Sequence, residues 1–227
     1  MPGASRWSAA VALRGPACWT RNAVRTIAAD RGECREHERF PPYQSVDAAE
    51  VRYGLAVARL RHIVEVLPIP AYVILLGDIL HISGHETQAR RQYALVGAIE
   101  RLFAANGVRT ELQTAVFDLD HNWNIADALA GARTAYTAAP GIYAEDAFAW
   151  GLFRAGRCGQ ARSHSAHTLR LGTRDALLIC HSAMIERCLG APSARAWFRR
   201  ALATNPHFSF LWAPVARAAV ASRQAQV

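Results

Sequence analysis

Residues 199–214 read RRALATNPHFSFLWAP, and this stretch closes a spacing pattern that recurs through the second half of the chain. Ala194, Phe198 and Ala201 stand three or four residues apart and precede Pro206. Comparable sets occur upstream: Ala128, Ala132 and Ala135 before Pro140, and Ala161, Ser165 and Thr168 before Thr173. The sets start 33 residues apart, at 128, 161 and 194. A fixed period of this length indicates that one structural unit is repeated along the chain.

A fourth copy of the pattern lies further upstream. Ala89, Tyr93 and Val96 precede the set that starts at residue 128 by 39 residues, which is six more than the regular interval. We expect the additional residues near Asn106 and Gly107, because a longer turn costs little stability.

Each unit contains two predicted helices. Ala149 and Leu152 recur at helical spacing in the first helix of one unit. The second helix of that unit is expected to run through Leu171 and to end at Gly172, since glycine adopts the left-handed cap without a side-chain clash. No window shows the alternating, β-branched pattern of a half-buried strand. About ten helices joined by short turns are therefore predicted over residues 46–222.

These units resemble the tetratricopeptide repeat, a helix–turn–helix of about 34 residues with small residues where its two helices cross and a proline at its end. The resemblance covers residues 55–221. The small residues of the first helices would be Gly77, Ala149 and Ala183. Those of the second helices would be Ala89, Ala128, Ala161 and Ala194. Pro140 and Pro206 would end their units, and Pro68 would end a half unit.

The resemblance implies an all-α, right-handed α-solenoid of about four units, with a half unit before them and a C-terminal capping helix. It assigns residues 46–227 to the repeat domain and leaves residues 1–45 as an irregular or disordered leader. Two positions depart from the family pattern. Thr173 stands in place of proline, and Val116 occupies a small-residue position, where we expect a looser helix crossing.

Stacked hairpins form a concave face from their first helices, and members of this family generally hold a peptide or a protein there. The resemblance therefore implies a scaffold or adaptor. Its partner-binding residues would be Asp78, His81, Gln113, Tyr143, Asp146, Trp150, Phe153, Arg154, His181, Met184 and Arg187. Trp150 beside Arg154 is typical of interface hot spots and would bind a carboxylate next to an apolar side chain. Trp150, Phe153 and Met184 are equally compatible with packing between helices.

The charge of the chain bears on its partner. All 26 basic residues are arginine, and the formal net charge is +8. Because lysine is absent, the lysine-containing carboxylate clamp of co-chaperone repeat proteins is absent too, and chaperone tails are not the expected partner. From residue 151 onward, eleven arginines stand against only Asp175 and Glu186. Nucleic-acid binding by these last repeats is therefore an alternative function, which steep salt dependence would distinguish.

A third interpretation is a C-terminal fragment of a longer repeat protein that is accessory to an enzyme, since only half a unit precedes Pro68. Self-association is also compatible with the weakly polar outer faces of the first and last units. No stretch is apolar over the length needed to cross a bilayer.

The five cysteines form neither a CxxC pair nor a zinc-ligand set. They are predicted to be free thiols in a reducing compartment, which favours a cytoplasmic protein. The first 29 residues contain four arginines and no acid, a weak indication of a presequence. Their apolar run is too short for a secretory signal.

No catalytic or metal site is predicted. The chain has no G-x-S-x-G motif, phosphate-binding glycine loop or dinucleotide fingerprint. Residues 118–124, DLDHNWN, alternate acids and amides as a calcium loop does, but Trp123 replaces the turn glycine and Leu129 replaces the bidentate glutamate. Two histidine pairs have the spacing of metal ligands but no adjacent third ligand: His81 with His85, and His164 with His167. We therefore expect no enzymatic activity, cofactor or metal.

Overall fold

The computed structural model describes residues 46–108 and 110–222, with side chains from Tyr53 onward. Within these ranges it has ten helices and no strand. They are α1 (Val46–Val66), α2 (Pro70–Ile82), α3 (Glu86–Ala105), α4 (Glu111–His121), α5 (Ile125–Ala138), α6 (Ile142–Arg154), α7 (Cys158–Thr168), α8 (Ala176–Cys188), α9 (Ala194–Thr204) and α10 (Trp212–Ala221). The predicted all-helical class is confirmed for these residues. The predicted leader, residues 1–45, lies outside them.

The helices form four hairpins in chain order: α2 with α3, α4 with α5, α6 with α7, and α8 with α9. Helix α1 packs on α2 before the first hairpin, and α10 packs on α9 after the last. We call α2, α4, α6 and α8 the first helices. They also contact one another, α4 with α6 and α6 with α8, and α8 contacts α10. This order of packing is compatible with a helical repeat.

The turn of each hairpin contains a residue with a left-handed backbone just after the first helix. These residues are Gly84 (φ 81°), Asn122 (φ 61°), Gly156 (φ 76°) and Gly190 (φ 68°). A side chain is strained in this region, and glycine and asparagine tolerate it best. A turn residue of this kind therefore recurs in every hairpin, and the equivalent glycines Gly156 and Gly190 stand one repeat length apart in the sequence.

Two first helices carry recognisable start signals. Helix α2 begins at Pro70, whose fixed φ suits the first helical position, where an N–H would have no partner within the helix. Helix α8 follows Asp175, whose carboxylate accepts the backbone N–H of Leu177 (2.9 Å) and of Leu178 (3.4 Å). Such an N-cap satisfies donors that the helix cannot.

The small residues predicted at the helix crossings are buried: Gly77, Ala89, Ala128, Ala149, Ala161, Ala183 and Ala194. At the α2–α3 crossing, a Cβ atom on Gly77 would overlap the ring of Tyr93. Only glycine therefore lets the Tyr93 ring lie directly on the α2 backbone, which brings the two helix axes close together.

The second unit differs from the prediction by one residue. Ala115, and not Val116, is the small residue at the α4–α5 crossing, where it packs with Ala132 and Ala147. Val116 lies beside this cluster and is only partly buried. Because a small side chain is present after all, the looser crossing that we expected is not required.

Two helix ends also differ from expectation. Helix α3 has 20 residues where α5 has 14, so the six additional residues lengthen the helix rather than the turn at Asn106. The segment before that turn is rich in strong helix formers, which explains the extension. Helix α7 ends at Thr168, three residues before the predicted end at Leu171, whose side chain is exposed.

Candidate binding face

Side chains from three first helices and from α10 meet in one place, which we call the tryptophan cluster and define as Asp120, Trp150, Arg154, His181 and Trp212. Oδ1 of Asp120 accepts the indole N–H of Trp150 at 3.0 Å and that of Trp212 at 2.9 Å. The two indoles are edge to face, with ring centroids 5.0 Å apart. Burial raises the pKa of the Asp120 carboxyl, against the opposing effects of the His181 charge and the Trp212 hydrogen bond.

Arg154 is the cation of this cluster. Its guanidinium carbon lies 5.5 Å from the ring centroid of Trp150 and 5.5 Å from that of Trp212. Nη2 of Arg154 donates to Oδ1 of Asn122 at 2.9 Å. Burial lowers the pKa of Arg154, but an arginine of this kind keeps its charge. Two buried indoles therefore hold the half-buried cation in a fixed position.

His181 closes the buried side of the cluster. Its ring stacks on Trp150 with centroids 4.1 Å apart and planes at 9°. Nδ1 of His181 donates to Oδ2 of Asp146 at 2.7 Å, and both side chains are buried. Burial lowers the pKa of His181, but the charge and the hydrogen bond of Asp146 outweigh it and leave that pKa raised. Oδ1 of Asp146 and Nε2 of His181 have no hydrogen-bond partner.

A second polar group joins the first hairpin to the second. We call it the histidine cluster and define it as Asp78, Tyr93, Phe117, His121 and Trp123. Oδ1 of Asp78 accepts hydrogen bonds from the Tyr93 hydroxyl (2.9 Å) and from Nε2 of His121 (2.9 Å). The four rings lie within 4.6–5.7 Å of one another by centroid.

The ion pair in the histidine cluster makes stability depend on pH. Burial lowers the pKa of His121, but the hydrogen bond and the charge of Asp78 outweigh burial, so that pKa is raised. A folded-state pKa above the unfolded value stabilises the protein at pH values below the ordinary histidine pKa. That stabilisation disappears as the pH rises through the folded-state pKa.

Asp78→Asn is therefore expected to lower the free energy of unfolding by about 2 kcal/mol at pH 6 and by clearly less at pH 9. Urea unfolding at the two pH values measures the difference. Asp127→Asn, at an exposed position on α5, is the control and should show no such pH dependence. An Asp78→Asn effect of equal size at both pH values would contradict the charged His121–Asp78 pair.

The predicted partner-binding residues fall into three groups by exposure. The exposed ones are His81, Gln113 and Arg187. The partly buried ones are Asp78, Tyr143, Phe153 and Arg154. The buried ones are Asp146, Trp150, His181 and Met184.

The four buried residues correct the sequence interpretation. Asp146, Trp150, His181 and Met184 were expected to line an open wall, but α4, α6 and α8 pack side by side and enclose them. They hold the first helices together and offer no surface to a partner. For Trp150 and Met184, the alternative of packing between helices is the correct one. Phe153 stacks on Trp150 at 4.8 Å and is only partly enclosed.

Two members of the tryptophan cluster are absent from the set of predicted partner-binding residues. Asp120 lies at an inward position of the second unit and was not selected as a binding residue. Trp212 stands just after the last recognised unit, where the pattern of small residues ends. Trp212 begins the predicted C-terminal capping helix, and this position could have indicated that its side chain packs against the preceding units.

Glu145 explains the histidine pair on α7. Its buried carboxylate contacts Nδ1 of His167 and, at 3.3 Å, Nδ1 of His164. The Tyr136 hydroxyl donates to the same carboxylate at 3.4 Å. His164 and His167 therefore bind the buried Glu145 carboxylate of the preceding helix, α6. Across the described part of the chain, no three histidine, cysteine, aspartate or glutamate side chains are arranged to hold a metal ion.

Two of the three described cysteines contradict the prediction of free thiols, and Cys18 and Cys34 lie outside the described residues. Cys158 at the start of α7 and Cys188 at the end of α8 form a disulfide, with Cα atoms 6.3 Å apart. Adjacent antiparallel helices bring the start of one beside the end of the next, which explains the pairing. Cys180 is free and buried, and burial raises its pKa to about 12. Disulfides persist mainly in oxidising compartments, so this bond does not support the predicted reducing environment.

Residues 118–124, compared above with a calcium loop, form the last turn of α4 and the connection to α5. Asn122 and Asn124 both have left-handed backbones, with φ of 61° and 43°. The backbone N–H of Trp123 donates to the Asp118 carbonyl at 2.8 Å. The alternating acids and amides therefore serve a tight turn.

Comparisons with known proteins give no relative: no protein-family model matches the sequence, and neither curated proteins nor solved structures show a significant match. Among residues 46–108 and 110–222, no helix combines the length and the apolar composition needed to span a membrane.

Proposed function

We propose that this protein is a non-catalytic interaction module, a helical repeat of the tetratricopeptide type, that holds a peptide or a protein segment against its first helices. The observation that carries the proposal is Arg154, a half-buried cation fixed between the faces of Trp150 and Trp212 and beside the Asp120 carboxylate. The two indoles are buried, so they fix the Arg154 guanidinium in place and leave that cation as the group that a partner can reach. Arginine is one of the residues enriched in protein-binding hot spots. A segment that carries a carboxylate would complement it.

Arg187 on α8 extends this surface. Its guanidinium carbon lies 5.4 Å from the Phe198 ring centroid, and its Nη2 lies 3.1 Å from the Met184 sulfur. The side chain is therefore ordered against apolar neighbours while Arg187 stays exposed. Arg154 and Arg187 occupy the last turns of α6 and α8. Two ordered cations on neighbouring first helices favour a partner with acidic groups.

The test is a selection of random peptides displayed on phage, with the full chain immobilised as bait. Peptides that enrich are expected to bind the wild-type chain and to lose about tenfold or more in affinity for the Arg154→Ala/Arg187→Ala double variant. Arg199→Ala is the matched control, because Arg199 is an exposed arginine on the second helix α9. It should leave the affinity unchanged.

Two outcomes would refute the proposal. One is that no peptide sequence enriches above the background of the uncoated support. The other is that enriched peptides bind the double variant as tightly as they bind the wild type, while circular dichroism shows that both chains are equally helical. Fluorescence anisotropy with labelled peptides measures the affinities.

Nucleic acid is the second candidate partner, and one observation favours it: most arginines after residue 151 lie in exposed positions. Several of them bind within the chain, however. Arg162 contacts Glu186 at 2.9 Å, and Arg170 lies 3.9 Å from Glu145. A gel-shift experiment at low salt with single-stranded and duplex DNA decides this candidate, since phosphate binding weakens steeply with added salt.

A further inference from the structure

The segment 208–221, which contains α10, does more than close the last hairpin. Its Trp212 reaches α4, 92 residues upstream, where it donates to Asp120, and it lies over Arg154 of α6. Its Phe210 lies edge to face with Tyr53 of α1, with centroids 6.2 Å apart. This segment therefore contacts α1, α4 and α6, and it covers the Arg154 side chain on which the proposed function depends.

The attachment of this segment depends on one large buried side chain. Helix α10 has ten residues, and its buried positions are Trp212, Ala213 and Ala216. Phe208, Leu211 and Val215 also pack against the core, but they are only partly buried. Two arginines add polar contacts. Arg195 of α9 donates to the Val220 carbonyl through Nε (3.1 Å) and Nη2 (2.6 Å), and Arg217 donates to the Pro206 carbonyl at 2.9 Å. A helix this short has little stability of its own in water.

We propose that segment 208–221 is an internal ligand, and that a partner binds by displacing it. The occupant that the surface fits is a peptide with the chemistry of this segment: an aromatic residue, a tryptophan two positions later, and then a helix of small residues. Asp120 accepts the indole N–H, and the Arg154 guanidinium covers the indole face. This inference rests on the proposed function and adds to it the class of partner and the means of regulation.

The balance between internal and external ligand follows from mass action. A partner reaches only the fraction of molecules in which the internal segment has left, so its apparent affinity falls in proportion to that fraction. A tethered ligand acts at an effective concentration on the order of millimolar. Weakening the internal contacts should therefore strengthen binding of an external peptide of the same sequence.

The experiment uses the full chain and a fluorescent synthetic peptide of residues 207–222. Fluorescence anisotropy compares the wild-type chain with the Phe210→Ala/Trp212→Phe double variant, which removes the contact with Tyr53 and the indole donor to Asp120. The double variant should bind the peptide about tenfold or more tightly than the wild type does. A control peptide, in which both aromatic residues are alanine, should bind neither chain. Ala218→Ser, at an exposed position on α10, should behave as wild type.

Equal peptide affinity for the wild type and for a helical double variant would overturn the inference. Should the double variant fail to fold, the wild-type chain decides the matter with a peptide that carries a photo-cross-linker in place of Trp212. Cross-links to α4 and α6 at millimolar peptide support displacement, and their absence refutes it. If the phage-selected peptides bind through Arg154 and Arg187 but do not compete with the 207–222 peptide, the inference fails while the proposed function stands.

Discussion

Trp150→Ala is expected to lower the free energy of unfolding by about 3–5 kcal/mol, the usual cost of removing a fully buried tryptophan. The Trp150 side chain has no exposed surface, stacks on His181 and donates to Asp120. Its removal would leave a cavity between α6 and α8, and one less donor for a partly buried carboxylate. Urea unfolding followed by circular dichroism measures the loss.

Two further variants separate the parts of this effect. Trp150→Phe keeps a ring against His181 but removes the indole donor and part of the buried ring volume, so it should cost about 2 kcal/mol, less than Trp150→Ala. Trp123→Ala is the matched control for residue type, because Trp123 is 40% exposed and its loss should cost clearly less than that of Trp150. A Trp150→Ala chain with the urea midpoint of the wild type would contradict the packing of the first helices.

Reduction of the Cys158–Cys188 disulfide is expected to lower the free energy of unfolding by about 3–4 kcal/mol. The bond closes a loop with a sequence separation of 30 residues, and opening it restores the chain entropy of the unfolded state. Cys188 is exposed, so a thiol reductant reaches the bond without prior unfolding. Urea unfolding with and without dithiothreitol measures the difference.

The Cys158→Ser/Cys188→Ser variant provides the control for this measurement. It should unfold near the midpoint of the reduced wild type, and dithiothreitol should not shift it further. Cys180 is present in both chains, so any effect of the reductant on that thiol cancels. A wild-type midpoint that is identical with and without reductant would show that the bond does not constrain the chain.

The sequence predicted those features that local spacing determines. The recurrence of small residues located the crossings at Gly77, Ala149 and Ala183, and each of these residues is buried. Glycines at equal intervals located the hairpin turns at Gly156 and Gly190. The one-residue error at Ala115 arose because the sequence offers an alanine and a valine side by side, and only packing against α5 selects the smaller.

The candidate binding face was harder to predict, because it depends on how closely the first helices approach one another. Periodicity shows that Trp150 and His181 point to one side of their helices, but it does not show whether a neighbouring helix covers that side. The contact between Asp120 and Trp212 joins residues 92 positions apart, and no local pattern records it. The disulfide was open to inference from the antiparallel order of α7 and α8, once the helix ends were known.

The contacts of Phe210 and Trp212 also bear on how the chain folds. Where hairpins touch only their neighbours in sequence, structure can start anywhere and spread, and the two ends fray independently. Here Trp212 of the last helix contacts α4, and Phe210, just before that helix, contacts α1. The two ends of the described chain therefore gain their final contacts together. Such distant contacts form slowly because a long loop must close first. The formation of these two distant contacts is therefore the step that we expect to limit the folding rate.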